Sequence, residues 1–197
     1  MQTVDSESIV LTDSLRQQIQ AMVDARVEAL WQEKEQREAD RPRKLAIIAS
    51  RGTLDWAYPP LILATAAASL GWDVGIFFTF YGLSILNKPE LRKLEVAPLG
   101  NPAMPMPVPM PQLVGAIPGM TPMATTMMKK KFKAHGVASI DELLDMAVDA
   151  GVRLMPCGMT AEVFGYKRED FIDAAEPMCG AAAFIDFAED ADISLFI

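Results

Sequence analysis

Cysteine and histidine are scarce in this chain: Cys157, Cys179 and the single His135 are all that 197 residues provide. No Cys/His spacing suits a zinc site, and no Ser, His and Asp set suggests a hydrolase. Two thiols 22 residues apart, with no signal peptide ahead of them, make a reducing cytoplasm the expected setting. A glycine-rich dinucleotide fingerprint is missing, so no cofactor is expected, and no metal. Basic charge is short as well. Lys and Arg number 18 against 26 Asp and Glu, a net charge of -8 without an aromatic-and-basic stripe, so nucleic acid is not an expected partner.

Uninterrupted apolar runs long enough for a membrane are also lacking. Ala57 to Leu86 has the length, since a span needs about 20 apolar residues. Gly71-Trp72-Asp73 divides it, however, where a helix should stop and a strand begin. With 51% hydrophobic and 22% charged residues, the composition is that of a globular protein, one well-cored domain plus an extension. Charge is uneven: residues 1–43 carry -3, residues 44–135 carry +5 and residues 136–197 carry -10. The acidic last third would draw basic partners toward the surface bearing Cys157 and oppose a thiolate at long range. Its plainer reading is a set of solvated helix faces.

Residues 1–43 read as a helical extension. Leu15, Ile19, Met22, Val23, Val27 and Leu30 recur at steps of three and four, with Trp31 beside them, predicting a helix from Ser14 to about Ala39. It should stop before Pro42, and its stripe needs a second copy or the main domain to cover it. Residues 44–197 read as that main domain. Lys44–Ser50 predicts a buried strand, Tyr58–Leu70 a helix with Pro59 and Pro60 in its first turn, Asp73–Phe80 a strand and Tyr81–Asn87 a short helix.

Residues 98–123 then break the pattern. Eight prolines between Pro98 and Pro122, interleaved with methionines, exclude a central strand or a regular helix and predict a long apolar loop suited to an adaptable contact. Thioether binding of Cu(I) there would lack a companion cysteine or histidine. Met127–Lys133 is a basic, apolar helix turn that allows peripheral membrane contact, although a solvated helix end is its plainer reading. Ser139 and Glu142 stand at capping-box spacing, Gly151 closes that helix, 180–189 gives another, and Asp192–Ile197 supplies a last strand. Strands alternating with helices argue an α/β layer fold.

The chemistry gathers in Val152–Tyr166. An apolar strand runs into Pro156, Cys157 and Gly158, and a helix starts beyond them, so Cys157 sits at the carboxyl end of a strand, where sites in such sheets collect. The amides of Gly158 and Met159 should favour a thiolate, with Thr160 adding a hydrogen bond. Asp55 and Tyr81, at neighbouring strand ends, are expected to shape access. A small buried core cysteine is the competing reading.

In order, Leu45-Ala-Ile-Ile-Ala-Ser50, Leu54-Asp55, Gly75-Ile-Phe-Phe-Thr-Phe-Tyr-Gly-Leu83, Met127-Met-Lys-Lys130, Pro156 through Tyr166, and Leu195-Phe-Ile197 resemble the DsrE/DsrF-like family. The likeness is to its long single-chain members, sometimes labelled peroxiredoxin-like, and covers Lys44 to Ile197. It implies a flavodoxin-like three-layer sandwich with a mostly parallel sheet of four or five strands, and a homo-oligomer. It also implies a cysteine that carries sulfane sulfur as a persulfide, with rhodanese- or TusA-type sulfur-transfer proteins as partners. Cys157 falls at that position, and Cys179 at none. Arg51-Gly-Thr53, one residue longer than expected, and Tyr58-Pro-Pro60 depart from the pattern at the pocket rim.

No second cysteine stands at CxxC spacing, so sulfur carriage by a sulfurtransferase-like protein is favoured over redox cycling. A thiol peroxidase would need a resolving thiol, which Cys179 supplies only by folding close. An interaction protein docking through the long helix and the Pro/Met loop is the other alternative.

Overall fold

A computed structural model describes residues 12–97 and 119–197. The chain divides between Arg41 and Pro42 into two compact units. Most of the loop expected at 98–123 lies outside the described residues. Its last part, from Met120, is already helix, with Pro122 in the first turn, where a missing N–H costs no intrahelical bond.

The first unit is the helix α1, Asp13–Asp40, roughly 42 Å long at 1.5 Å per residue. It buries none of its residues, so the stripe from Leu15 to Trp31 is exposed along its length. Local pairs support it: Arg37 with Glu33, Lys34 with Glu38, and Gln20 with Asp24, each one turn apart. Arg41, held extended before Pro42, stops it.

The second unit is built on strands β1 (Lys44–Ala49), β2 (Asp73–Phe78), β3 (Arg153–Pro156) and β4 (Ile193–Phe196). All neighbours are parallel and the order is β3-β2-β1-β4. The register pairs Ile47 with Ile76 and Ile76 with Leu154, so side chains alternate between two faces in step across the sheet. This is the α/β arrangement expected from the alternation of elements.

Helices α2 (Leu54–Ser69) and α5 (Ile140–Asp149) cover one face. The residues Ile140, Leu143, Leu144 and Ala147 of α5 fall on one stripe and are all buried. Its start is the capping box read from the sequence: Ser139 Oγ accepts from the Glu142 amide, and Glu142 accepts from the Ser139 amide. At its end Gly151 takes φ +78° and the Val152 amide donates to Ala147, a closure that turns the chain directly into β3.

Helix α2 begins four residues before the expected Tyr58. The Leu54 amide donates to the carbonyl of Glu95 at 2.8 Å, which supplies a partner for the first turn and lets the helix start early. Pro59 and Pro60 therefore lie inside it rather than in its first turn.

Among the described residues of this unit, the opposite face carries one short helix, α7 (Ala181–Ala188). Phe184 and Phe187 from α7 pack with Ala46, Phe77, Met155 and Cys157. The ring of Phe184 stacks on that of Phe77 at 5.0 Å. Phe187 lies where Gly75 leaves room, since a Cβ there would come within 2.5 Å of its ring.

The remaining described elements are 3-10 helices at Phe80–Ile85 and Arg168–Asp170, α3 (Lys88–Leu91), α4 (Met120–Ala134) and α6 (Gly158–Phe164). His135 caps the end of α4. Among the described residues no helix is long and apolar enough to cross a membrane. The run Ala57–Leu86 is divided at Gly71 into a helix and a strand, as its sequence indicated.

Candidate functional site

Beyond the last paired residues of the strands, the hydrogen-bonded ladder continues for one more row. Thr79 donates its amide to Ala49, Cys157 to Phe78 and Cys179 to Pro156, at 2.9–3.0 Å. Thr79, Cys157 and Cys179 thus follow one another across the carboxyl edge of the sheet. By the alternation that puts Phe77 and Met155 on the α7 face, this row faces the same way.

Cys157 is the residue before the first turn of α6 and is 4% exposed. Its Sγ accepts from the Thr160 hydroxyl at 3.4 Å. The Thr160 oxygen also lies 3.2 Å from the Thr79 hydroxyl and accepts from the Phe80 amide at 3.4 Å. A hydroxyl oxygen has two lone pairs and one proton. Thr160 spends its one proton on the sulfur, and the Thr79 hydroxyl beside it can turn its own proton to Thr160 or to the sulfur. Both threonines are buried, so this relay works away from bulk water.

Burial pushes the Cys157 thiol up, but the Thr160 hydroxyl and amide, the Thr79 hydroxyl and the Met159 amide outweigh it and hold the thiol below its ordinary range. The Thr160 hydroxyl, 3.4 Å from the sulfur, acts at close range against the long-range effect expected of the acidic last third.

The other residues singled out in the sequence are distributed differently. Gly158, expected to offer its amide to the sulfur, donates instead to the Cys179 carbonyl at 2.8 Å. Its N–H points along the ladder, while the amides of Met159 and Thr160, further into the helical turn, help to lower the thiol. The Met159 side chain itself is 64% exposed. Tyr81 is 69% exposed and its ring lies 5.9 Å from that of Phe164 at the end of α6. Asp55 uses its carboxylate to accept the Ala97 amide at 2.9 Å, fixing the chain after α3.

The model of the DsrE/DsrF/DrsH-like family matches residues 41–196. The chain belongs to this family. Helix α1 lies before the family's span. A relative from Allochromatium vinosum, named sulfur carrier protein DsrE2, is 54% identical over 159 residues, covering 79% of this chain and 98% of its own. The uncharacterized protein YrkE of Bacillus subtilis is 29% identical over 159 residues, covering 80% of this chain and 99% of its own. The crystal structure of the ychN protein from E. coli superposes with a TM-score of 0.48 at 14% identity, covering 79% of this chain and 99% of its own.

Within the family domain, sequence reasoning missed Thr79 and the placement of Cys179. Thr79 carried a signal: it follows Phe77 by two, the strand alternation that puts it on the face of Cys157. Cys179 carried none, because its place depends on the turn from Glu176 to Gly180 folding back along β3, where Glu176 donates to Leu154. Burial raises the Cys179 thiol, as do Glu176 and Cys157, while Arg153 opposes them. Arg153 is itself held by Glu176 through two hydrogen bonds, at 2.7 and 3.1 Å.

Proposed function

We propose that this chain is a cytoplasmic sulfur carrier that accepts sulfane sulfur as a persulfide on Cys157 and hands it to a thiol of a partner protein. The observation that carries the reading is the buried Cys157 sulfur at the strand end, which accepts from the Thr160 hydroxyl with the Thr79 hydroxyl beside it. The name of the Allochromatium vinosum relative, a sulfur carrier protein, supports it.

The chemistry follows from the geometry. Cys157 as thiolate attacks the outer sulfur of a sulfane donor; one S–S bond forms, the donor's breaks, and the donor leaves as a thiolate. The product, Cys157–S–SH, is itself readily anionic, so the donors that favour the thiolate also hold the loaded form. A partner thiolate then attacks the outer sulfur and regenerates Cys157. Partners of rhodanese or TusA type and assembly as a homo-oligomer belong to this proposal.

Intact-protein mass after exposure to inorganic polysulfide tests it. A gain of one or more sulfur atoms, removed by reductant, sharply slowed in Cys157→Ser and kept in Cys179→Ser, is the expected result. An unmodified wild type would sink the carrier reading.

A further inference from the structure

Cys179 stands in register beside Cys157 on a parallel bridge, fixed from both sides: its amide donates to Pro156 and its carbonyl accepts from Gly158. Both thiols join the cluster beneath α7, so they share one face. Cys157 is buried and Cys179 half-buried. Neighbouring strands run about 4.8 Å apart. In-line displacement at sulfur needs an attacking, a transferred and a leaving sulfur in a row, with both partial bonds longer than the ordinary ~2.05 Å. Two in-register side chains on adjacent strands offer that span. A direct disulfide asks for more movement, because it draws the Cβ atoms to about 3.8 Å.

Building on the reading of Cys157 as a persulfide carrier, we infer that Cys179 is a second sulfur-holding site, which takes the outer sulfur from Cys157 and presents it to the acceptor. Cys179, after releasing its proton to solvent, attacks the outer sulfur of Cys157–S–SH. The Cys179–S bond forms, the Cys157–S bond breaks, and Cys157 leaves as a thiolate. The sulfane sulfur keeps its oxidation state and proton, so no oxidant or reductant enters. The donors around Cys157 make it the better leaving group, since a thiolate of lower pKa leaves faster. Burial, Glu176 and Cys157 hold the Cys179 thiol up, with Arg153 acting against them, so Cys157 rather than Cys179 is the sulfur that loads first.

Lys167 and Arg168 lie between the two cysteines, so trypsin separates them and each can be read on its own peptide. Wild type, Cys157→Ser, Cys179→Ser and Cys179→Ala are exposed to inorganic tetrasulfide, sampled over time, alkylated and digested. In wild type the one-sulfur gain should reach the Cys157 peptide first and the Cys179 peptide second. Loss of Cys157 should slow the gain on Cys179 by about tenfold or more, because an intramolecular donor is lost. Both Cys179 variants should load Cys157 normally, which also shows that they fold, yet discharge to reduced glutathione about tenfold more slowly. The relay is overturned, with the carrier reading intact, by any of three results: a Cys179 peptide that stays unmodified beside a loaded Cys157, unchanged discharge from the Cys179 variants, or a two-hydrogen mass loss marking a Cys157–Cys179 disulfide. No sulfur on Cys157 removes both readings.

Discussion

On the face covered by α2 and α5, Leu45, Ile47, Val74, Ile76, Phe78 and Leu154 are buried beneath two helices and the loops that join them. Among the described residues, the alternate residues on the other face, Ala46, Phe77, Met155 and Cys157, pack mainly against the short helix α7, with Cys179 and Ala191 beside it. The strands contribute to both faces equally, so the difference lies in what covers them. A deep layer supplies most of the apolar burial that holds the sheet. A shallow layer has fewer contacts to lose, which puts it at the low-stability end where ligand access is drawn from. The sulfur sits under the shallow one.

The largest expected effect tests the deep side. Phe78 is fully buried, so Phe78→Ala should cost about 3–5 kcal/mol in urea unfolding. Next comes the shallow side: Phe184→Ala loses the stack on Phe77, and because α7 can settle into the space the cost should be lower, about 2–3 kcal/mol. The same change should speed alkylation of Cys157 in the folded protein. Equal costs on the two sides, with no gain in alkylation, would erase the contrast.

Smaller still, Ser139→Ala removes the acceptor of the Glu142 amide at the start of α5 and should cost about 1 kcal/mol without altering Cys157 reactivity. The last contrast, from Thr160→Val, is read in pH dependence rather than in overall stability. The native Cys157 thiol lies below its unfolded value, so the native state gives up that proton first and gains stability as pH rises between the two values. That gain is complete above the unfolded value and lost as pH falls through the native one. Thr160→Val should move the midpoint of Cys157 alkylation to higher pH and flatten this rise. The measurement belongs on a Cys179→Ala background, because the raised Cys179 thiol contributes with the opposite sign, its stabilisation fading as pH rises. An unmoved midpoint would mean that Thr160 does not address the sulfur.

The strands, the capping box at Ser139 and the strand-end position of Cys157 were legible because each rests on neighbours within a few residues. Periodicity, a cap at fixed spacing and a breaker such as Gly151 are local signals. The first turn of α2 was misplaced because its partner is Glu95, far along the chain. Gly158 was misassigned for a related reason: its amide is claimed by Cys179, on a segment that returns only after α6. Thr79 and Cys179 enter the site through strand register, which a linear reading contains only once the pairing is known. The resemblance singled out Cys157, and the fold supplied the groups around its sulfur.

The returning segment at Cys179 also decides what the sheet can do at its margins. The outward carbonyls of Leu154 and Pro156 already accept from Glu176 and Cys179, and Pro156 has no N–H to offer another strand. Among the described residues, β4 ends the other side with no strand beyond it, and its Phe196 is 75% exposed. A sheet sealed along one margin admits a new strand only at the other. Among the described residues, joining two such sheets by their open margins would consume both, so edge pairing of this kind stops at two.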